Sequence, residues 1–289
     1  MHIILGATGH VGSAIARNLL KKGEQVTAVV RSEEKGAELK KLGAELVLAD
    51  ITDVNALKEA FSKGESLFLI VPPSDPSGNA AAAENKVIDN YLEALRGSAV
   101  KKLVGLSTIG AHDDGDIGML ALGRRTERDF GKLPIQTSFV RPAYYFTNWD
   151  MALETAKSEG VIHTMFPPDL TLEMISPEDI GAFIADVMTK ETPEKVYEIA
   201  GPEAYSSNDV AEAFTAALDR DVKAVETKPE NWMDAYKGMG FSEESAREFS
   251  AMTKTVTDGK TAEHPEKIIR GKRTLQDHVQ QLADQQVHA

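Results

Sequence analysis

The sequence predicts an α/β fold: a doubly wound parallel sheet followed by a smaller, mainly helical C-terminal region. Three observations carry this. Short apolar runs alternate with helix-period segments, the pattern of a parallel sheet covered on both faces. A glycine cluster follows the first run at once. Beyond residue 141 the regular alternation breaks up.

Taken in order, His2 to Leu5 reads as a buried strand and Val11 to Lys22 as a helix, with Val11, Ile15, Leu19 and Leu20 at helical spacing and Gly23 as its stop. Gln25 to Val30 is a second strand, Glu33 to Leu42 a helix ended by Gly43, and Glu45 to Leu48 a third strand. A helix over Asp53 to Phe61 leads to a strand over Leu67 to Val71, which Pro72-Pro73 closes because proline cannot extend a ladder. After a surface loop from Ser74 to Asn79 come a helix over Ala80 to Arg96 and a fifth strand over Lys101 to Leu106. A glycine- and aspartate-rich loop from Ile109 to Gly118 precedes a helix from Met119 to Phe130. Ile135 to Val140 is the sixth strand of a sheet of at least six. Further on, Val161 to Met165 and Val196 to Ile199 read as short strands, and Ser176-Pro177-Glu178-Asp179 has the spacing of a helix start. Helices are expected at Asn208 to Leu218, around Trp232, at Glu243 to Lys254 and at Leu275 to Gln285.

The strongest motif is Gly6-Ala7-Thr8-Gly9-His10-Val11-Gly12, set between the first strand and the first helix. Gly6 suits a tight turn, Gly9 lets backbone amides approach a pyrophosphate, and Gly12 lets helix and strand pack closely. Free N–H groups at the helix start then face the phosphates. This makes residues 1–145 a Rossmann-type dinucleotide-binding domain and residues 146–289 a smaller substrate or cap region interwoven with it.

Composition excludes several other classes. The 289 residues are 42% apolar and 27% charged, as in ordinary globular proteins, and the formal net charge is −13. So acidic a chain lacks the Lys and Arg excess that phosphate backbones require, and nucleic acid is not an expected partner. The absence of cysteine removes disulfides, thiolate catalysis and Cys-ligated metals. The seven histidines are scattered without metal-ligand spacing, so no metal site is expected, and no Gly-x-Ser-x-Gly elbow points to hydrolysis. The first apolar run is too short for a signal peptide, and no later stretch reaches membrane length. A cytoplasmic location is expected, with a homodimer left open.

The chain resembles the short-chain dehydrogenase/reductase superfamily, and more closely its atypical, NmrA-like branch. The resemblance rests on Gly6 to Gly12, Val29-Val30-Arg31, Ala49-Asp50, Ser107-Thr108, Val140-Arg141-Pro142 with Asn148, and Ala200-Gly201-Pro202-Glu203-Ala204. It implies an NAD(P)H-binding protein. Arg31 stands where an NAD site usually carries an acidic side chain, and a guanidinium suits a 2′-phosphate. NADP(H) is therefore expected over NAD(H). The competing role for Arg31 is a solvated strand end, with Glu33 or Glu34 bonding a ribose. The resemblance places Asp50 and Ile51 beside the adenine; the other reading of Asp50 is a solvated helix-start residue, with Asp53 or Thr52 capping the following helix. Val71, Pro72 and Pro73 leave the fourth strand at the sheet edge where ligands lie, as groove wall or as turn formers. Ser107 and Thr108 end the fifth strand at that edge, free either to touch the nicotinamide side or to bond local backbone. Pro142 and the loop with Tyr144, Tyr145, Phe146 and Asn148 border the nicotinamide and substrate pocket in the family; domain packing is the other reading of those aromatics.

Many short-chain dehydrogenases pair a tyrosine acid with a lysine four residues on. None of the six tyrosines here has that lysine. By the resemblance Met119 and Gly123 fall near the two positions, and Arg124 or Arg125 either replaces the charge or is solvated. The departure disfavours alcohol dehydrogenation and epimerisation. Hydride transfer to a small electrophilic acceptor such as a quinone demands less of the protein. The alternative is a non-catalytic NADP(H) sensor that binds a protein partner.

Overall fold

The computed structural model describes residues 1–259 and 261–287. β1 (His2–Ile4) is wholly buried and runs through the glycine turn into α1 (His10–Lys21), which lays Val11, Ile15 and Leu19 on the sheet. Burying such side chains stabilises by about 1.5–3 kcal/mol each for the larger ones. The pattern repeats through β2 (Val26–Val30), α2 (Glu33–Lys41), β3 (Glu45–Leu48), α3 (Val54–Phe61), β4 (Ser66–Leu69), α4 (Ala80–Leu95) and β5 (Lys102–Leu106). Ser32, Asp53 and Asn79 cap the three helices after the first by accepting first-turn N–H groups. A single 3₁₀ turn at Gly118–Leu120 leads to α5 (Ala121–Phe130), and β6 (Gln136–Pro142) follows.

The rest of the chain forms β7 (Tyr144–Tyr145), α6 (Leu153–Glu159), β8 (Val161–Thr164), β9 (Leu172–Ile175), α7 (Pro177–Thr189), β10 (Val196–Ala200) and β11 (Ala204–Tyr205). Next come α8 (Ser207–Leu218), β12 (Lys223–Glu226), α9 (Trp232–Gly238), α10 (Glu243–Thr257), β13 (Ile269–Arg270) and α11 (Leu275–Val287). Ser176 caps α7 with Pro177 in its first turn, as its spacing predicts.

The main sheet has the order β3-β2-β1-β4-β5-β6-β10-β13, and every neighbouring pair is parallel. Strand order reverses between β1 and β4, which opens a crevice at the carboxyl edge. One face packs against α1 and α7 through Ile4, Ile15, Ile180 and Ile184; the other packs against α3 and α4 through Ile3, Leu57, Phe61 and Tyr91. A third core joins the loop after β7 to α8 and α11.

Two strands beyond the expected six join this sheet. β10, anticipated as a short strand of unknown place, lies against β6, and β13 completes the edge. β7, β9, β11, β12 and β13 went unforeseen because two to four residues are too few to show an alternation. They form a three-stranded ladder, a two-stranded one with β8, and that sheet edge.

Candidate functional site

Gly6 takes φ +62°, a left-handed conformation that a side chain strains. The Gly9 amide donates to the Gly6 carbonyl at 2.9 Å and closes the turn. Any Cβ on Gly12 would lie 2.1 Å from the Gly6 oxygen. α1 therefore starts hard against the turn. Gly9 is its N-cap without a side-chain bond, and Ser13 is the first amide seen returning to Gly9. The amides of His10, Val11 and Gly12 belong to the helix end that has no intrahelical acceptors. This is an anion cradle at the strand-order reversal.

The parallel topology brings the other predicted cofactor residues to the same edge. Arg31 follows β2, exposed and without a hydrogen-bond or ion-pair partner among the described residues. Asp50 and Ile51 follow β3. The Asp50 carboxylate accepts from the Thr52 hydroxyl at 2.6 Å and its amide at 2.8 Å, and these bonds hold it below the usual carboxylate range. Of the two expected caps, Asp53 caps α3 by accepting the Asn55 and Ala56 amides. The turns after β3 and β4 are pinned from α4, where Asn90 donates to the Ile51 carbonyl and Tyr91 to that of Ile70.

Beside this edge lies a cavity of about 410 Å³. Val71, Ser107, Pro142, Tyr144, Tyr145 and Asn148 all line it. Pro73 does so where Pro72 does not, and Phe146 does not either. The Phe146 ring is fully buried against Tyr205 and His278, so it belongs to the third core rather than to a substrate wall. Burial pushes the Tyr144 and Tyr145 hydroxyls well above their ordinary values; at Tyr144 nearby Tyr236 adds to this and Asn148 opposes it. Both stay protonated.

The roof comes from α10, through Phe249, Met252, Thr253 and Val256. Its start is tied to the loop after β4: the Ser242 and Ser245 hydroxyls both donate to the Gly78 carbonyl, and the Ser242 amide to that of Pro76. Sequence reading placed a helix here without any signal that it closes the site.

Met119 and Gly123 both face the cavity. A Cβ on Gly123 would come within 2.7 Å of the Thr108 methyl and 2.9 Å of the Ser107 hydroxyl, so α5 approaches β5 too closely for a lysine. Neither following arginine replaces that charge, and neither is simply solvated. Arg124 donates to the Asp113 and Gly115 carbonyls, while Arg125 binds Asn85, Asp89 and Asp129 and ties α5 to α4.

Ser107 donates its hydroxyl to Glu127 at 2.6 Å. Glu127 in turn binds Arg141 through both oxygens at 2.7 Å, and Arg141 also meets Glu263 at 2.5 Å and Glu198 at 3.5 Å. Burial alone would depress the Arg141 pKa; the bonds to Glu127 and Glu263 outweigh it and hold the guanidinium above its ordinary value. The Arg141 bond likewise keeps Glu263 below the carboxylate range. His112, Glu198 and Glu263 also approach one another closely enough to share a cation. Yet Arg141 already supplies the positive charge, and Glu198 accepts the Glu263 and His264 amides. Glu127 was readable in principle, since it follows Met119 and Gly123 at successive four-residue steps on one helix face.

An uncapped glycine turn at a strand-order reversal, next to a roofed and mostly apolar cavity, defines a dinucleotide-type Rossmann protein. The sequence model of the NmrA-like family matches residues 2–274, and the chain belongs to that family. It is similar to the NAD(P)H azoreductase of Xenophilus azovorans, 26% identical over 247 residues that span 85% of this chain and 84% of that one. In structure it resembles the NADPH-dependent quinone oxidoreductase QOR2 of Escherichia coli, complexed with NADPH, with a TM-score of 0.82, 24% identity, and 98% and 99% of the two chains covered. The triphenylmethane reductase of Citrobacter sp., complexed with NADP(H), superposes with a TM-score of 0.81 at 20% identity over 98% of this chain and 100% of that one.

Proposed function

We propose that this protein is an NADP(H)-dependent reductase that transfers hydride to a small, flat, electrophilic acceptor such as a quinone. The observation that carries the reading is the adjacency of the anion cradle to an apolar cavity in which Met119 and Gly123 replace an acid–base pair. The names of the three relatives refer to azo compounds, quinones and triphenylmethane dyes, all conjugated acceptors.

Residues 1–145 hold the dinucleotide in this reading, and residues 146–289 supply much of the acceptor pocket. The glycine turn takes the pyrophosphate, Asp50 and Ile51 flank the adenine, and Val71 and Pro142 wall the nicotinamide end. When bound, the reduced nicotinamide supplies the hydride. Ser107, its proton committed to Glu127, presents oxygen lone pairs and so accepts from a carboxamide N–H. Tyr144, Tyr145 and Asn148 offer polar contacts to the acceptor within an otherwise apolar wall. No helix among the described residues is long and apolar enough to cross a membrane.

Arg31 is assigned to the 2′-phosphate. Arg31→Asp should weaken NADPH binding by roughly ten- to hundredfold more than NADH binding, as expected for about 1.5–3 kcal/mol from a charge-assisted bond. Equal loss for both cofactors, measured by calorimetry, would refute the assignment. The reading as a whole is tested by NADPH oxidation over quinones, azo dyes, triphenylmethane dyes and aldehydes. Turnover of the conjugated acceptors and not the aldehydes is expected. Tight dinucleotide binding with no turnover would instead identify a redox sensor.

A further inference from the structure

We propose that Glu84 is the proton donor to the reduced acceptor, an inference that rests on the reductase reading above. Two carboxyls line the cavity, Glu84 and Glu173. Glu173 accepts from both terminal guanidinium nitrogens of Arg270 and is held as an ion pair. Glu84 has no cation partner among the described residues. It sits in the second turn of α4, only 6% exposed. One oxygen accepts the Ser74 amide at 2.9 Å, and this is the only hydrogen bond to the carboxyl among the described residues. The second oxygen has no hydrogen-bond partner among the described residues, and the residue lines the cavity.

Charged neighbours on the packed elements are engaged elsewhere. Arg125 of α5 is held by Asn85, Asp89 and Asp129, Arg124 by two carbonyls, and Glu248 of α10 by Arg247. Burial therefore acts unopposed except by the Ser74 amide, and it raises the carboxyl above its ordinary value. A carboxyl raised in this way holds its proton to higher pH than a free one and can pass it to a developing anion.

The balance is simple. An acceptor that takes a hydride, with its two electrons, from a reduced nicotinamide dinucleotide leaves the displaced carbonyl π pair on its oxygen. The Glu84 O–H bond breaks, an O–H bond forms on that oxygen, and Glu84 becomes a carboxylate. Water reprotonates it as product leaves, so one solvent proton is consumed per turnover. Nothing local marks this residue in the sequence: a glutamate early in a helix ordinarily faces solvent.

Glu84→Gln keeps an oxygen for the Ser74 amide and cannot give up a proton. Quinone turnover should fall roughly hundredfold, within the range of general acid catalysis, with the NADPH dissociation constant unchanged. The wild-type rate should decline as pH rises through the Glu84 ionisation, and the variant should lack that limb. Infrared spectra of the wild type without cofactor should show a protonated carboxyl band that persists to higher pH than that of a free glutamate and is absent from the variant. The pH limb of turnover separates this from a packing role, and stability checks the raised ionisation itself. Because the folded carboxyl ionises later than the unfolded one, stability falls as pH rises through that interval, and glutamine should remove the fall. Turnover unchanged in the variant, or no protonated band in the wild type, overturns the donor alone. Wild type that reduces no acceptor overturns the reductase reading and the donor with it.

Discussion

Gly12→Ala should abolish measurable NADPH binding and destabilise the fold together. Its new methyl would stand 2.1 Å from the Gly6 carbonyl oxygen and 2.6 Å from the Gly6 carbonyl carbon. Both are backbone atoms of a turn that the Gly9 amide already closes, so neither can rotate away. Either α1 lifts from β1 or the turn opens, and both displace the amides that form the cradle. Overpacking of this kind costs about 1–3 kcal/mol. Gly9→Ala supplies the control. There the added methyl lies 3.4 Å from the Gly6 oxygen, close to ordinary contact, so thermal unfolding should stay near wild type. Binding should still weaken, because that methyl occupies the face a pyrophosphate approaches. Unfolding curves with calorimetric titrations on the pair decide the matter. If Gly12→Ala unfolds like the wild type and binds NADPH normally, helix–turn contact is not what fixes this site.

Much of the architecture could be read from the chain because each of the first six strands lies between clear punctuation. Gly23, Gly43 and Pro72-Pro73 end elements, and Ser32, Asp53 and Asn79 begin them. The ends of these strands place Arg31, Asp50, Val71, Ser107 and Pro142 on one edge as soon as the sheet is taken as parallel. What escaped depends on tertiary approach. α10 reads as an ordinary amphipathic helix, and only the bonds from Ser242 and Ser245 to Gly78 reveal that it roofs the cavity. Phe146 shows the reverse error: its place in an aromatic loop suggested a ligand wall, but the neighbouring α11 puts His278 against its ring. Glu127, Glu198 and Glu263 come from a helix, a strand and a loop well apart in sequence, and nothing local marks them as partners of one arginine.

That arginine sets the second large effect. Glu127→Ala should cost about 3–5 kcal/mol, the penalty for removing one side of a buried ion pair. The Arg141 side chain is only 6% exposed, and Glu127 supplies both of its paired oxygens at 2.7 Å. Glu263 is 42% exposed, and the oxygens of Glu198 are shared with backbone amides, so neither replaces the lost bidentate partner. The same change frees the Ser107 hydroxyl, whose proton then turns toward the cavity and competes with any donor there. Urea unfolding and dinucleotide affinity should therefore worsen in parallel. Pairing Glu127→Ala with Arg141→Met separates the two consequences. Removing the stranded guanidinium should recover part of the stability; the rest stays lost, because buried Glu198 then keeps only its backbone amide donors. It should leave the affinity defect, since Ser107 still lacks its acceptor. Recovery of both by the double change would show that Ser107 is oriented by packing and not by its bond to Glu127.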